Sequence, residues 1–215
     1  MKALIQSHFP ERSKNLPIIA NDLIKNGLKP EDIIFLLDYG QSFTTDCKVM
    51  LTNEFMPINW WHGVASVLDT DYVALLCDDL TLKDNSLNSL KFYADKHPEI
   101  DVFGFEGGQF AKGKYPYTGA VKSHTSTELE TADYIIRFYF ARPRAFVKAL
   151  DLYTKNPTKP IHDDLLLSLA NSCAIVPTTF DTGWEELSEY GIAYSKRKTH
   201  YQERDRLIYD TNRSR

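Results

Sequence analysis

The chain has 215 residues, of which 43% are hydrophobic and 25% are charged, and its formal net charge is -4. This length suits one globular domain, residues 1–215, with a large core, and the acidic excess argues against a broad nucleic-acid-binding surface. Three cysteines without a C-x-x-C pair argue against a disulfide framework and a structural zinc site, and no apolar run reaches the roughly 20 residues of a membrane span. We therefore expect a cytoplasmic protein, and the charged last segment, residues 204–215, is also consistent with one module of a longer protein.

Short apolar runs bounded by polar turns recur along the chain, and each is typical of a strand buried on both faces. They lie at Ala3–Ile5, Ile33–Leu37, Tyr72–Cys77, Val102–Phe105 and Cys173–Val176. Helical periodicity occurs between them, at residues 16–24, 61–68 and 86–97. This alternation with short connections predicts an α/β fold with a mixed, mostly parallel central sheet flanked by helices.

The second half of the chain is less regular. The glycines between Gly107 and Gly119 predict a long loop, of the kind that is often functional in compact domains. The apolar and aromatic run Ala132–Phe140 predicts one more strand.

The most informative motif is Cys77-Asp78-Asp79-Leu80, in which two carboxylates end an apolar run. Carboxylates beside a buried strand are costly unless something pairs with them, and a divalent cation carrying a phosphate is a common partner. We predict that Asp79 is a ligand of Mn2+ or Mg2+, and that Asp78 bonds a ribose hydroxyl or a metal-bound water. The alternative is a solvated turn or a helix cap, because Asp is common in both.

Polar residues also follow the first two predicted strands, as Ser7, His8 and Arg12 after the first and Asp38 after the second. In parallel sheets, ligands bind beyond the carboxyl ends of the strands. We therefore expect these side chains to share one site with the Asp78-Asp79 pair. His8 as a surface residue and Asp38 as a turn residue are the simpler alternatives.

A second acidic pair, Asp163 and Asp164, follows His162 and opens an apolar helical run. Capping and the helix dipole explain one of these acids, but two acids and a histidine exceed what a cap requires. We predict that Asp164 acts at the reacting atom and that Asp163 orients a substrate hydroxyl.

The order of these motifs resembles the GT-A nucleotide-sugar glycosyltransferases, and within them the exostosin-like, retaining branch. Residues 53–57, Asn-Glu-Phe-Met-Pro, look like the Asn-Arg-Phe-x-Pro segment of that branch, and residues 77–79 look like an Asp-Asp-Asp version of its DXD motif with Cys77 in place of the first acid. Residues 101–105 resemble the Val-Gly-Phe strand, although Glu106 stands where a basic residue commonly follows. Residues 161–165 resemble the Cys-Glu-Asp-Ile segment, which aligns Asp164 with the active-site acid of the family. The matches span residues 3–180 in the expected order.

The resemblance implies transfer of a sugar from a UDP-sugar donor to a glycan or glycoprotein acceptor, with retention. Charge and hydropathy, as above, predict neither a nucleic-acid partner nor a membrane span. Asp79 would hold the metal, joined by His200 if the carboxyl-terminal segment folds back over the diphosphate. A surface histidine without a ligand is the simpler alternative for His200. The expected donor-binding residues are Ser7, His8, Arg12, Asp38, Asn53, Asp78 and Arg197. Trp184 is a candidate for stacking on the acceptor, with core packing as its alternative.

The chain also resembles the glycosyltransferase modules of large algal DNA viruses, which would place it in a host cytoplasm. Two other functions remain open. A sugar-1-phosphate nucleotidylyltransferase shares this architecture but normally has a Gly-rich loop after the first strand, and residues 7–15 contain no glycine. A non-catalytic nucleotide- or carbohydrate-binding module would use the acids only to hold a structural cation.

Overall fold

The computed structural model describes residues 1–7, 9–38, 41–52, 63–110, 121–122, 127–155, 163–187, 202 and 204–206. The helices of these ranges are α1 (Leu16–Lys25), α2 (Ser86–Lys96), α3 (Pro143–Lys155) and α4 (Asp163–Leu169), with short 3-10 helices at Pro10–Asn15 and Pro30–Asp32. The strands are β1 (Lys2–Ser7), β2 (Ile33–Asp38), β3 (Lys48–Thr52), β4 (Val73–Cys77), β5 (Leu80–Leu82), β6 (Val102–Gly104), β7 (Gly107–Gly108), β8 (Val121–Lys122), β9 (Glu130–Ala132), β10 (Tyr134–Ile135), β11 (Phe138–Ala141), β12 (Cys173–Ile175) and β13 (Trp184–Glu186).

Eight strands form the central sheet, in the order β3-β2-β1-β4-β11-β6-β12-β9. Strands β1, β2, β3 and β4 pair in parallel, as do β6 and β12, whereas β11 and β9 run against their neighbours. A second sheet has the order β10-β7-β8, and β5 pairs with β13 in a two-stranded ribbon. The predicted α/β class, with a mixed and mostly parallel central sheet flanked by helices, is confirmed.

Alternate side chains of the central strands enter two separate clusters, one on each face of the sheet. On one face, Leu4 of β1 packs in a cluster with Phe146 of α3 and Leu165 of α4. On the other face, Ile5 of β1 packs in a cluster with Leu16 of α1 and residues of α2. Each fully buried side chain of this size stabilises the fold by about 1.5–3 kcal/mol. Because both faces are covered, these strands are continuously apolar, as the sequence pattern indicates.

Helix α1 begins with Pro17 in its first turn and is followed by Gly27 at φ 94°. Proline fits a helix start because its missing N–H has no intrahelical partner there, and the left-handed conformation just after a helix favours glycine. Both ends were therefore predictable from the sequence.

In the part that the structure describes, the helix predicted over residues 61–68 ends earlier than predicted. Only Gly63 and Val64 are helical, and residues 65–69 form turns. Hydrogen bonds run from Ser66 N to Gly63 O (2.9 Å) and from Val67 N to Val64 O (3.0 Å). These tight turns bury Val64 and Val67 on one side just as an α-helix would, so an i, i+3 apolar pattern does not separate the two.

The single strand predicted over residues 132–140 is wrong, because β9, β10 and β11 divide this run between two sheets. Arg137 has φ 68°, which turns the chain between β10 and β11. The long loop predicted from Gly107 begins as β7, where a Cβ on Gly107 would clash with Tyr134 O. Strand β3 and helix α3 were not predicted. No helix in the described part of the chain is long and apolar enough to cross a bilayer.

Candidate functional site

Three parallel neighbours, β2, β1 and β4, end at the same edge of the central sheet. Ser7 pairs in register with Leu37 of β2, and Gln6 pairs with Cys77 of β4. Ser7, Asp38 and the Asp78-Asp79 pair therefore lie along one edge, the carboxyl edge, as the sequence analysis predicts.

Arg12 joins the 3-10 helix after β1 to the acids after β4. Its Nη1 donates to Asp78 Oδ1 at 2.7 Å and to Asp79 Oδ2 at 3.2 Å. The Arg12 and Asp78 side chains are 7% and 3% exposed. Burial alone would lower the pKa of Arg12, but the hydrogen bond and the charge of Asp78 raise that pKa above its ordinary value. The guanidinium therefore stays charged and compensates Asp78 in the low-dielectric interior.

Asp78 is fixed from two directions but retains one unused oxygen. Asn15, at the end of the same 3-10 helix, donates from Nδ2 to Asp78 O at 2.8 Å. Asp78 Oδ2 is buried and has no hydrogen-bond partner among the described residues. A buried carboxylate oxygen without a partner is costly, so this atom has capacity for a further donor or cation.

Asp79 is less enclosed than its neighbour, with a side chain that is 21% exposed. Burial raises the pKa of Asp79, Arg12 opposes this, and the negative charge of Asp78 raises it further, so the net shift is upward. A cation near Asp79 would favour the ionised form of its carboxyl group.

A second guanidinium near Asp79 was not predicted. Arg137 also acts electrostatically on Asp79 and lowers its pKa. Arg137 Nη1 donates to Glu186 Oε1 at 2.6 Å, its Nε lies 3.8 Å from Glu106 Oε2, and its guanidinium lies 4.8 Å from the centre of the Trp184 ring. The left-handed backbone at Arg137 is uncommon for a non-glycine residue and frequently marks a functional position. A lone arginine within an apolar run was the available sequence signal.

Ser7 and Asp38 are joined by Gln41, which sequence reasoning missed. Gln41 Nε2 donates to Ser7 Oγ at 3.0 Å, while Gln41 Oε1 accepts from the backbone N–H of Asp38 at 2.9 Å. Gln41 N donates to Asp38 O at 3.1 Å. These hydrogen bonds hold both predicted residues at the carboxyl edge, and all three residues are buried.

The remaining predicted residues are only partly placed. Asp163 and Asp164 form the first turn of α4, where only their backbone is described. His8, Asn53, Arg197 and His200 lie outside the described residues. Within the described part of the chain, no three or more His, Cys, Asp or Glu side chains are grouped to hold a metal ion. Metal binding by Asp79 and His200 stays a prediction.

Comparison with known proteins places the fold. No protein-family model and no curated protein matches the chain. Among solved structures, S. aureus TarS 1-349 in complex with UDP-GlcNAc matches with a TM-score of 0.63 and 14% identity, over 98% of this chain and 66% of that chain. The complex of the same fragment with UDP matches with a TM-score of 0.60 and 15% identity, over 98% and 65% of the two chains.

A longer S. aureus TarS structure matches with a TM-score of 0.55 and 12% identity, over 87% of this chain and 37% of that chain. The chain thus spans just under two thirds of the TarS 1-349 fragment. At such identities the likeness concerns the fold, and it agrees with the GT-A class predicted from the sequence.

Proposed function

We propose that this chain is a metal-dependent glycosyltransferase that uses a UDP-sugar donor. The observation that carries the proposal is the Arg12-Asp78-Asp79 arrangement at the carboxyl edge of a GT-A-type sheet. That edge is where α/β sheets bind ligands. In support, the structures with this fold include TarS bound to UDP-GlcNAc and to UDP.

The residues at this edge fit a hard divalent cation. Asp79 offers carboxylate oxygens at a partly exposed position, and the buried Asp78 Oδ2 has no hydrogen-bond partner among the described residues. Mg2+ commonly takes one or two carboxylates and completes its shell with substrate phosphates and water. When bound, Mn2+ or Mg2+ would act as a Lewis acid that offsets the negative charge of the leaving diphosphate.

The protein side chains divide the remaining work. The Arg12 guanidinium hydrogen-bonds to both Asp78 and Asp79 and so fixes the orientation of the two carboxylates. Arg137 adds positive charge where the diphosphate would lie. The family resemblance places a basic residue after β6, where this chain has Glu106. Arg137 reaches Glu106 from the start of β11, and we propose that it takes over this donor contact.

Ser7, Asp38 and Gln41 form a buried, hydrogen-bonded polar cluster that is suited to the nucleoside. Asp164, assisted by Asp163, would support the reacting sugar carbon, and the acceptor would be a glycan or glycoprotein. Retention is expected from the exostosin-like resemblance. An NMR spectrum of the first-formed product would test it, since the anomeric coupling constant distinguishes retention from inversion.

Calorimetric titration of UDP with and without Mn2+ tests the donor site directly. We expect metal-dependent binding to the wild type and at least about a tenfold loss for Asp79→Asn. Asp71→Asn is the matched control, because Asp71 is an exposed acid just before the opposite end of β4. Binding without metal, or equal binding by both variants, would contradict the proposal.

Turnover separates an enzyme from a binding module. Wild-type protein with Mn2+ should release UDP from a UDP-sugar, and Asp79→Asn should not, although it remains folded. Binding of UDP without any release, with a panel of UDP-sugars and glycan acceptors, would favour the binding module.

A further inference from the structure

A cavity of about 270 Å³ lies beside the ribbon that β5 and β13 form. Its walls include two aromatic side chains, three hydroxyl side chains and one ammonium group, contributed by Phe105, Trp184, Thr178, Thr179, Thr182 and Lys83. Small-molecule sites typically measure about 300–1,000 Å³. The volume therefore suits a single ring rather than a nucleotide-sugar.

The cavity lies at the same edge of the sheet as Asp78 and Asp79. Phe105 directly follows β6, and Thr178 lies shortly after β12. Both strands run in the same direction as β4, because β11 is antiparallel to β4 and to β6, and β12 is parallel to β6. The cavity is thus a neighbour of the proposed donor site and not a feature of the opposite edge.

The ribbon connects the two sites. Leu187 N donates to Asp79 O at 2.8 Å, Glu186 pairs with Leu80, and Trp184 pairs with Leu82. Leu82 lies three residue steps along the chain from Asp79, which corresponds to about 10 Å. A ligand against Trp184 would therefore lie close to a sugar held at Asp79 without occupying its place.

The side chain of Trp184 is held in position by Arg137, which also lies near Asp79. The Arg137 guanidinium lies 4.8 Å from the ring centre, and Arg137 is anchored in turn by Glu186 at 2.6 Å. Trp184 remains partly exposed and lines the cavity. An indole fixed in this way offers a flat apolar surface with little loss of side-chain freedom when a ligand stacks on it.

The charge of the lining is one-sided. Among the described residues that line the cavity, Lys83 is the charged one. The carboxylate of Asp181, between Thr179 and Thr182, lies outside the lining. A hydrogen bond from Thr179 is the largest cause that lowers the pKa of this carboxylate, and Lys83 is near enough to contribute. In the described part of the chain, Lys83 Nζ donates to Phe180 O at 3.3 Å and forms no ion pair within 4.0 Å. The Phe180 side chain is 98% exposed. A flat aromatic wall with hydroxyls and one ammonium group matches a sugar ring that carries an anionic substituent.

We propose that this cavity binds the acceptor through a sugar ring stacked on Trp184, with a carboxylate or phosphate substituent of that ring at Lys83. The identification as an acceptor subsite rests on the proposed glycosyltransferase function. Binding of the sugar itself does not, because it depends on Trp184 and Lys83 and requires neither metal nor UDP.

The test uses saturation-transfer NMR and titration with methyl β-glucoside, methyl β-glucuronide and methyl β-glucoside 6-phosphate, all with the full chain. We expect all three to bind, with the two anionic glycosides tighter by about fivefold and weakened by salt. Trp184→Ala should weaken all three by about tenfold, and Trp184→Phe by less, because a smaller ring still stacks. Lys83→Met should remove the advantage of the anionic glycosides and leave the neutral glycoside unchanged.

The controls are Phe92→Ala and Lys96→Met, which alter an exposed aromatic residue and an exposed lysine on α2. The absence of saturation transfer from the protein to any of the three glycosides would overturn the subsite. Binding that Trp184→Ala and Phe92→Ala reduce equally would also overturn it. A preference for the anionic glycosides that survives Lys83→Met would overturn the role of Lys83. The relative affinities for the glucuronide and the 6-phosphate decide which anion the subsite takes.

Titration of UDP and Mn2+ into the same samples distinguishes the two proposals. Metal-dependent UDP binding without glycoside binding would reject the subsite and leave the donor site standing. Glycoside binding that depends on Trp184, without UDP binding, would reject the donor site and leave a carbohydrate-binding cavity.

Discussion

Two aspartates, Asp78 and Asp101, are buried at opposite edges of the central sheet, at 2% and 3% exposure. Asp101 precedes β6 at the amino edge, where Oδ1 accepts from Arg144 Nε and Oδ2 accepts from Lys148 Nζ, both at 2.5 Å. Asp78 follows β4 at the carboxyl edge, where Arg12 Nη1 donates to Oδ1. Its Oδ2 has no hydrogen-bond partner among the described residues.

The difference distinguishes a structural charge from one at a ligand site. The two cations of Asp101 are about half exposed, at 53% and 50%, so they remain partly hydrated and satisfy both oxygens of the acid. Arg12 is buried together with Asp78, and the neighbouring Asp79 shares it. Two acids with one buried cation leave a local excess of negative charge, which a bound metal ion would reduce.

The largest expected effect comes from Arg12→Met, which leaves Asp78 buried without its cation. Removing one partner of a buried ion pair typically costs about 3–5 kcal/mol, and we expect a loss of unfolding free energy in that range by urea denaturation. The double variant Arg12→Met/Asp78→Asn should recover part of the loss, because no uncompensated charge remains at Asp78. A loss below about 1 kcal/mol for Arg12→Met would mean that the pair is not buried as described.

Asp101→Asn should have a smaller effect, since Arg144 and Lys148 can return to water. We expect a loss of about 1–3 kcal/mol, the usual cost of breaking hydrogen bonds to a buried polar group. Metal-dependent UDP binding, measured by calorimetry on the same sample, should be unchanged. Loss of UDP binding by the folded variant would break the division between a structural edge and a ligand-binding edge.

A third prediction concerns the backbone at Arg137. Arg137→Gly should be more stable than Arg137→Ala by about 1 kcal/mol, because alanine keeps the left-handed strain that glycine relieves. The same pair of substitutions at Val147, an exposed position inside α3, should show the opposite order by a similar amount. Thermal unfolding of the four variants measures both differences, and equal stability of the Arg137 variants would remove the argument for strain.

The smallest effect, with the opposite sign, is expected for Asp79→Asn. Because the pKa of Asp79 is raised from its ordinary value of 3.8, the folded state binds its proton more tightly than the unfolded chain does. The stability associated with this group is present below pH 3.8 and is lost as pH rises through the raised pKa.

Asp79→Asn should therefore be as stable as the wild type near pH 4, and more stable at pH 7 by at most about 1 kcal/mol, or roughly 2–4 °C in Tm. Thermal melts between pH 4 and 8 without metal measure this difference. A variant that is less stable than the wild type at pH 7 would show that Asp79 supports the fold rather than a ligand. Adding Mn2+ should raise the Tm of the wild type and not that of the variant.

Much of the carboxyl edge was predictable because its residues follow apolar runs directly. Ser7, Asp38 and Asp78 each end or follow a strand, and parallel neighbours place such residues together without any knowledge of side-chain contacts. Gln41 and Asn15 were not predictable in this way, because they act through hydrogen bonds to residues that are 34 and 63 positions away in the sequence.

Arg137 shows the same limit more clearly. Its run, from Ala132 to Phe140, has the composition of one strand, but the chain leaves the strand conformation at Asp133 and again at Arg137, where φ is positive. Because β11 runs antiparallel to β4, the residue just before β11 lies at the carboxyl edge, and this places the Arg137 guanidinium there. Side-chain periodicity carries no information about such a turn.

Local patterns in the sequence determined the apolar strands, the ends of α1 and the acids that follow β4, because burial on both faces and helix capping act within a few residues. The tertiary structure alone decided which charges compensate one another. Arg12 and Asp78 are 66 residues apart, and only the parallel pairing of β1 with β4 brings them within hydrogen-bonding distance in an interior where an uncompensated charge would destabilise the fold.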